Sequence, residues 1–125
     1  MLQSEKESDR KKRLTKLLEE LRSGVVVVEG KHDIEVFRKL GIEALTYGTL
    51  MGDVDNVLEK LPEGCTIFII MDDDKSGEFR TEQLKGKLLE KDLKFDEHLG
   101  ERLLKALNLT SVEQILKPIE EILNS

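Results

Sequence analysis

The feature that most constrains this chain is a pair of short, wholly apolar runs. These are "VVVV" at 25–28 and "IFII" at 67–70. Successive side chains of a strand point to opposite faces. A strand apolar at every position must therefore be covered on both sides, as in a parallel sheet sandwiched between helices. Four β-branched valines in a row suit extended backbone better than helix. The segments between these runs carry helical periodicity. Strands alternating with helices predict right-handed crossovers and a mostly parallel α/β sheet with helices on both faces.

The expected elements follow from that pattern. Residues 4–22 read as a helix with Leu14, Leu17, Leu18 and Leu21 on one stripe, ended by Gly24 in the left-handed cap position. "VVVVEG" is the first strand. "KHDIEVFRKLG" is a helix with Ile34, Phe37 and Leu40 inward, closed by Gly41. "IEALTYG" is a second strand. "GDVDNVLEKL" is a short helix with Val54, Val57, Leu58 and Leu61 inward, stopped by Pro62. "CTIFIIMD" is the third strand. "SGEFRTEQLKGKLLEKD" is a helix with Leu84, Leu88 and Leu89 on its apolar side. "LKFD" is a short edge strand. "DEHLGERLLKALN" and "SVEQILKPIEEIL" are terminal helices, the last capped by Thr110 or Ser111 and bent or broken at Pro118. The length of 125 residues fits a single domain. It comprises a core at 24–96, an N-terminal helix at 1–23 and a C-terminal helical extension at 97–125.

Sites in parallel sheets lie beyond the carboxyl ends of the strands. Glu29 ends the first strand, Gly48 and Thr49 follow the second, and Asp72, Asp73 and Asp74 end the third. If the first and third strands are neighbours, their acids converge. Each pair of carboxylates in contact costs about 1–4 kcal/mol in water or near a protein surface. Protonation of one acid, or entry of a divalent cation, relieves that repulsion. Oxygen donors without thiolates or a histidine cluster favour Mg2+ or Mn2+ over Zn2+. Asp72 and Asp74, spaced by two, point the same way in extended chain and are the expected metal pair. Glu29 is a third ligand or a general base. Gly77 permits close approach of a phosphate at a helix N-terminus. The plainer alternative is a capped turn, with Asp74 or Ser76 as the cap and Asp33 as a favourable charge at a helix start. His32 and His98 lack a metal-spaced partner and read as surface residues.

Composition narrows the function classes. The net charge of −6 argues against coating nucleic acid by bulk charge, although a local basic patch is compatible with it. The single cysteine, Cys65, allows no intramolecular disulfide and suits a reducing cytoplasm. The longest apolar runs are far too short to span a membrane, and "MLQSEKESDRKKR" has no apolar signal core.

"VVVVEGKHD" and "IFIIMDDDKSGE" together resemble the Toprim domain. That family is shared by type IA and type II topoisomerases, bacterial primases, some nucleases and small ribosomal-RNA maturases. Its pattern is an apolar strand ending in Glu-Gly, an Asp soon after, and a downstream apolar strand ending in Asp-x-Asp-x-x-Gly. Asp73 stands where the family often has proline, and "YGTL" at 47–50 is similar to its turn after the second strand. The resemblance covers roughly residues 24–96 and implies a compact four-stranded parallel sheet.

The resemblance further implies Glu29 as general acid or base with a metal role, and Asp72 and Asp74 as Mg2+ ligands. It makes Asp33, Gly30 and Gly77 site-shaping residues. Lys31, Lys75 and Arg80 are candidate phosphate contacts, with solvated surface charge as the alternative. The only tyrosine, Tyr47, lies inside the core, which argues against topoisomerase strand passage. No polymerase body is present for primase work. The expected activity is Mg2+-dependent phosphodiester chemistry on RNA or DNA, by a nuclease or nucleotidyl-transfer enzyme. The alternative is a non-catalytic, metal-dependent nucleic-acid or nucleotide binding module in a larger complex. The amphipathic terminal helices could serve a homodimer or a protein partner, with packing on the sheet as their simpler fate.

Overall fold

A computed structural model describes residues 7–125. The first three residues of the expected N-terminal helix, 4–6, lie outside the described residues. The strands are β1 (Val25–Val28), β2 (Ala44–Thr46), β3 (Ile67–Ile69) and β4 (Phe95–Asp96). The helices are α1 (Glu7–Arg22), α2 (Lys31–Lys39), α3 (Tyr47–Gly52), α4 (Val54–Glu59), α5 (Lys75–Glu90), α6 (His98–Ala106) and α7 (Leu116–Leu123). A 3-10 turn spans Val112–Gln114. The sheet runs in the order β2-β1-β3-β4 with every pairing parallel.

The all-apolar strands are explained by two cores, one on each face. Val26 and Val28 of β1, with Phe68 and Ile70, meet α1, α2, α6 and α7. Val27, with Ile67, Ile69 and Met71, meets Leu50 of α3 and Leu84 and Leu88 of α5. Alternate residues of one strand thus enter opposite cores, as the pleat requires. The four α1 leucines are buried as the periodicity predicts.

Several local expectations are corrected. Gly24 does not adopt the left-handed conformation, which among the described residues is held by Gly41, Gly64, Asp92 and Asn108. Gly24 is needed for space: a Cβ there would lie 2.2 Å from the Thr66 carbonyl oxygen and 2.7 Å from the Phe68 ring. β2 stops at Thr46, and "YGTLMG" forms α3 rather than a turn. The Thr46 side chain caps it, accepting the Thr49 amide at 3.1 Å. Leu89 is exposed, on the outer side of α5. The last segment divides into the 3-10 turn and α7. Pro118 falls in the first turn of α7, where its missing N–H has no intrahelical partner to lose. Ser111 precedes the 3-10 turn without a side-chain capping bond, and α7 is preceded by Ile115.

Candidate functional site

β1 and β3 lie side by side at the centre of the sheet, with Val27 opposite Ile69. The Ile70 amide continues the ladder, donating to the Val27 carbonyl at 3.0 Å. Glu29 and Asp72 therefore emerge from adjacent strands at the same edge. The Asp72 backbone and the Asp72 and Asp74 charges all act on the Glu29 carboxyl. The condition for convergence of the acids is met.

Each acid has a definite partner. The Arg80 guanidinium, from the second turn of α5, forms an ion pair with Glu29 Oε1. Asp72 Oδ1 accepts the Val112 amide at 2.8 Å. Asp74 caps α5, its Oδ1 accepting the Gly77 amide at 2.7 Å. Asp33, the only buried charged side chain among the described residues, reaches back from the first turn of α2 to the Gly30 amide at 3.2 Å. Asp73 is exposed, and its amide donates to the Thr110 carbonyl at 2.8 Å.

Gly77 fixes the geometry of the loop. A Cβ there would stand 2.0 Å from the Asp72 carbonyl oxygen, so only glycine lets the start of α5 press against the end of β3. Gly30 has open space around its Cα, and its role is confined to its amide.

The electrostatics reflect crowding. Burial holds the Glu29 carboxyl above its ordinary range, with Asp72 and Asp74 adding to the rise and Arg80 and the Asp72 amide opposing it. Burial likewise raises Asp33, with Asp72 and Glu113 adding to the rise and the Gly30 amide and His32 opposing it. A carboxyl raised above its ordinary range is better suited to proton transfer than an exposed one.

Comparison with known proteins adds one likeness. A solved structure of a protein from Aquifex aeolicus superimposes with a TM-score of 0.65 at 27% identity. The match covers 82% of this chain and 97% of the other. It supports the fold and brings no activity with it. No protein-family model matches the chain, and no curated protein matches it.

Among the described residues, no three His, Cys, Asp or Glu side chains are grouped closely enough to hold a metal ion together. The donor set nonetheless fits Mg2+. Asp72 and Asp74 each commit one oxygen, Oδ1, to an amide, leaving Oδ2 of each without a hydrogen-bond partner among the described residues. Mg2+ is usually held by one or two carboxylates, with waters and substrate phosphates completing its shell. Lys31 and Lys75 are exposed beside Gly30 and Asp74. His32 is exposed, and His98 lies 3.7 Å from Glu101 on the outer side of α6.

A groove of about 790 Å³ runs from Asp72–Asp74 between the start of α5 and α6. Its floor includes Gly77 and Gly100, the latter against Ile70. The groove, the Glu29–Arg80 pair and the support from Thr110 and Val112 are not foreseen from the sequence. Arg80 and Glu29 are 51 residues apart, and backbone groups carry no residue signature. The Asp74 cap, in contrast, follows from the "DDDKSG" spacing.

Proposed function

We propose that the chain is a small Toprim-type protein performing Mg2+-dependent phosphodiester chemistry on RNA or DNA, as a nuclease or nucleotidyl-transfer enzyme. One observation carries this reading. Glu29 and the Asp72–Asp74 pair sit at adjacent strand ends, where burial and then the aspartate charges raise the Glu29 carboxyl, and the Arg80 guanidinium pairs with Glu29. Asp72 and Asp74 would hold the cation with waters. When bound, Mg2+ would supply charge neutralisation and polarise a phosphoryl oxygen. Glu29, its proton affinity raised by burial, moves a proton to or from the attacking or leaving oxygen. Arg80, on leaving Glu29, offers a planar fork for phosphate.

A binding module without turnover is the second reading. The specific observation in its favour is that Arg80 already occupies the carboxylate assigned to acid–base work.

Calorimetric titration with Mg2+ and Mn2+ of the wild type and of Asp72→Asn/Asp74→Asn separates the readings. Asparagine keeps both hydrogen-bond acceptors and the helix cap while removing the charge. The same samples are incubated with structured RNA, single-stranded DNA and plasmid. Metal binding lost in the variant, with metal-dependent cleavage by the wild type, supports the enzyme. Metal binding without cleavage supports the binding module. No metal binding, even with nucleic acid present, refutes both.

A further inference from the structure

Charge is unevenly distributed along this chain. Five of the seven residues from Arg10 to Lys16 are cationic and none is acidic, although the net charge is −6. The cations are Arg10, Lys11, Lys12, Arg13 and Lys16, all on α1. Lys12, Arg13 and Lys16 are exposed. Lys11, Lys12 and Lys16 form no ion pair among the described residues. The fold places this patch at the edge of the sheet that carries the acids. The last turn of α1 lies where the strands begin: Arg22 Nη2 donates to the Leu40 carbonyl, just before β2, at 2.8 Å. Arg10 is three turns earlier, about 18 Å back along the helix axis. There its Nη2 donates to the Ala106 carbonyl at the end of α6, at 3.2 Å. Lys105, the residue before, is exposed and lines the groove that holds Asp72–Asp74. Shortly after Ala106, the Thr110 carbonyl accepts the Asp73 amide.

We propose that this basic face of α1 docks the phosphate backbone of a nucleic-acid duplex and presents it to the acidic site without reading base sequence. This rests on the phosphodiester reading given above. Phosphate contacts by Lys and Arg position a nucleic acid and carry no sequence information. Single-strand binding combines such contacts with stacking on aromatic rings. α1 carries no Phe, Tyr or Trp, so phosphates are what it can hold. A duplex offers them most densely, at one charge per roughly 1.7 Å of axis. Charge also sets the direction of approach. Glu97 and Glu101 at the start of α6, with Glu78 and Glu82 of α5, line the groove and repel a polyanion. Lys105, at the end of α6, joins the α1 cations as the attractive flank. An anionic membrane is the weaker fit. A helix lying on lipid buries its apolar face there, and Leu14, Leu17, Leu18 and Leu21 of α1 are already buried in the core.

The test is equilibrium binding of labelled DNA and RNA duplexes, and of their separate strands, in chelator and at several salt concentrations. The variant is Lys11→Gln/Lys12→Gln/Lys16→Gln. Glutamine has a helix propensity close to that of lysine, and the four buried leucines are untouched, so α1 keeps its fold. The control is Lys39→Gln/Lys60→Gln/Lys94→Gln, the same loss of charge at exposed positions away from α1. The wild type should prefer duplexes, with an affinity that falls as salt rises. The α1 variant should bind duplex at least about tenfold more weakly at about 0.1 M salt, and its salt slope should be smaller by about 0.9 for each lysine that meets a phosphate. The control should bind as wild type. Calorimetric Mg2+ binding should be the same in all three proteins. Equal duplex binding by the α1 variant and the control overturns the docking surface and leaves the phosphodiester reading standing. A preference of the wild type for single strands overturns the duplex. Duplex binding lost in the α1 variant, with neither metal binding nor cleavage by the wild type, supports the docking surface and refutes the chemistry at the acidic site. Failure of the wild type to bind any nucleic acid overturns both. Binding of phosphatidylserine vesicles in that case, lost in the α1 variant, assigns the patch to a membrane instead.

Discussion

Asp72 Oδ1 accepts a hydrogen bond from the backbone amide of Val112 at 2.8 Å, across 40 residues of chain. The Asp73 amide donates to the Thr110 carbonyl at the same distance. The acid loop is therefore held between the end of β3 and the segment before α7. Val112 is itself buried. Asp72→Ala leaves that amide without its acceptor and should cost about 1–3 kcal/mol. Asp72→Asn keeps an acceptor and should cost less. Urea unfolding of the two variants checks this order. Equal losses would mean that the charge, and not the hydrogen bond, anchors the loop.

Gly77 and Gly86 occupy the same helix and should respond in opposite directions. Gly77→Ala drives a Cβ into the Asp72 carbonyl at 2.0 Å. Backbone must shift, so stability should fall by more than about 1 kcal/mol and the acid loop should move with it. Gly86 is exposed, and a methyl group at its Cα would meet nothing within 4 Å. Gly86→Ala should therefore raise stability by about 1 kcal/mol through helix propensity. Thermal melts show whether the signs differ. Metal titration should be perturbed by the first substitution and unchanged by the second.

The contrast also indicates what a sequence can disclose. The sheet was legible because Val25–Val28 and Ile67–Ile70 are apolar at every position, which demands cover on both faces. The strand-end acids were legible because parallel sheets place sites at one edge. α3 was not, because "YGTLMG" contains two glycines and begins with an aromatic, all poor helix formers. Its one signal is Thr46 three residues before Thr49. Gly24 fits a helix cap on local grounds, whereas its need is the approach of Thr66 and Phe68 from another strand. Leu89 fits the helical period yet is exposed, because α5 is covered on one side only. The partners of Glu29 and Asp72 come from distant chain and leave no local trace.

Asp74 carries a cap and a candidate ligand in one side chain, and the two duties separate by substitution. Asp74→Ala should lose about 1 kcal/mol with the cap to Gly77. Asp74→Asn should be nearly neutral in stability, because asparagine is an equally good cap. Both should weaken Mg2+ binding if the carboxylate is a ligand. Calorimetry and chemical unfolding on the same preparations decide the matter. Unchanged metal affinity in Asp74→Asn would reduce Asp74 to a cap.

The buried carboxyl of Asp33 should make stability depend on pH in a definite direction. Burial raises it, Asp72 and Glu113 add to the rise, and the Gly30 amide and His32 oppose it without cancelling it. The folded chain then keeps a proton at pH values where the unfolded chain has released it. A raised value contributes stability that is fully present below the ordinary carboxyl range, about pH 4, and is lost as pH rises through the folded value. Asp33→Asn retains an oxygen to accept the Gly30 amide and removes the charge that burial penalises. The variant should therefore gain stability over wild type at pH 7, and the gain should shrink toward pH 3. Glu29, raised in the same sense, remains in both proteins and cancels in the difference. Urea unfolding at intervals from pH 3 to 8, with chelator present, measures that difference directly. If the variant is instead less stable than wild type at pH 7, ionised Asp33 is stabilised by the positive end of α2, and the helix dipole outweighs burial.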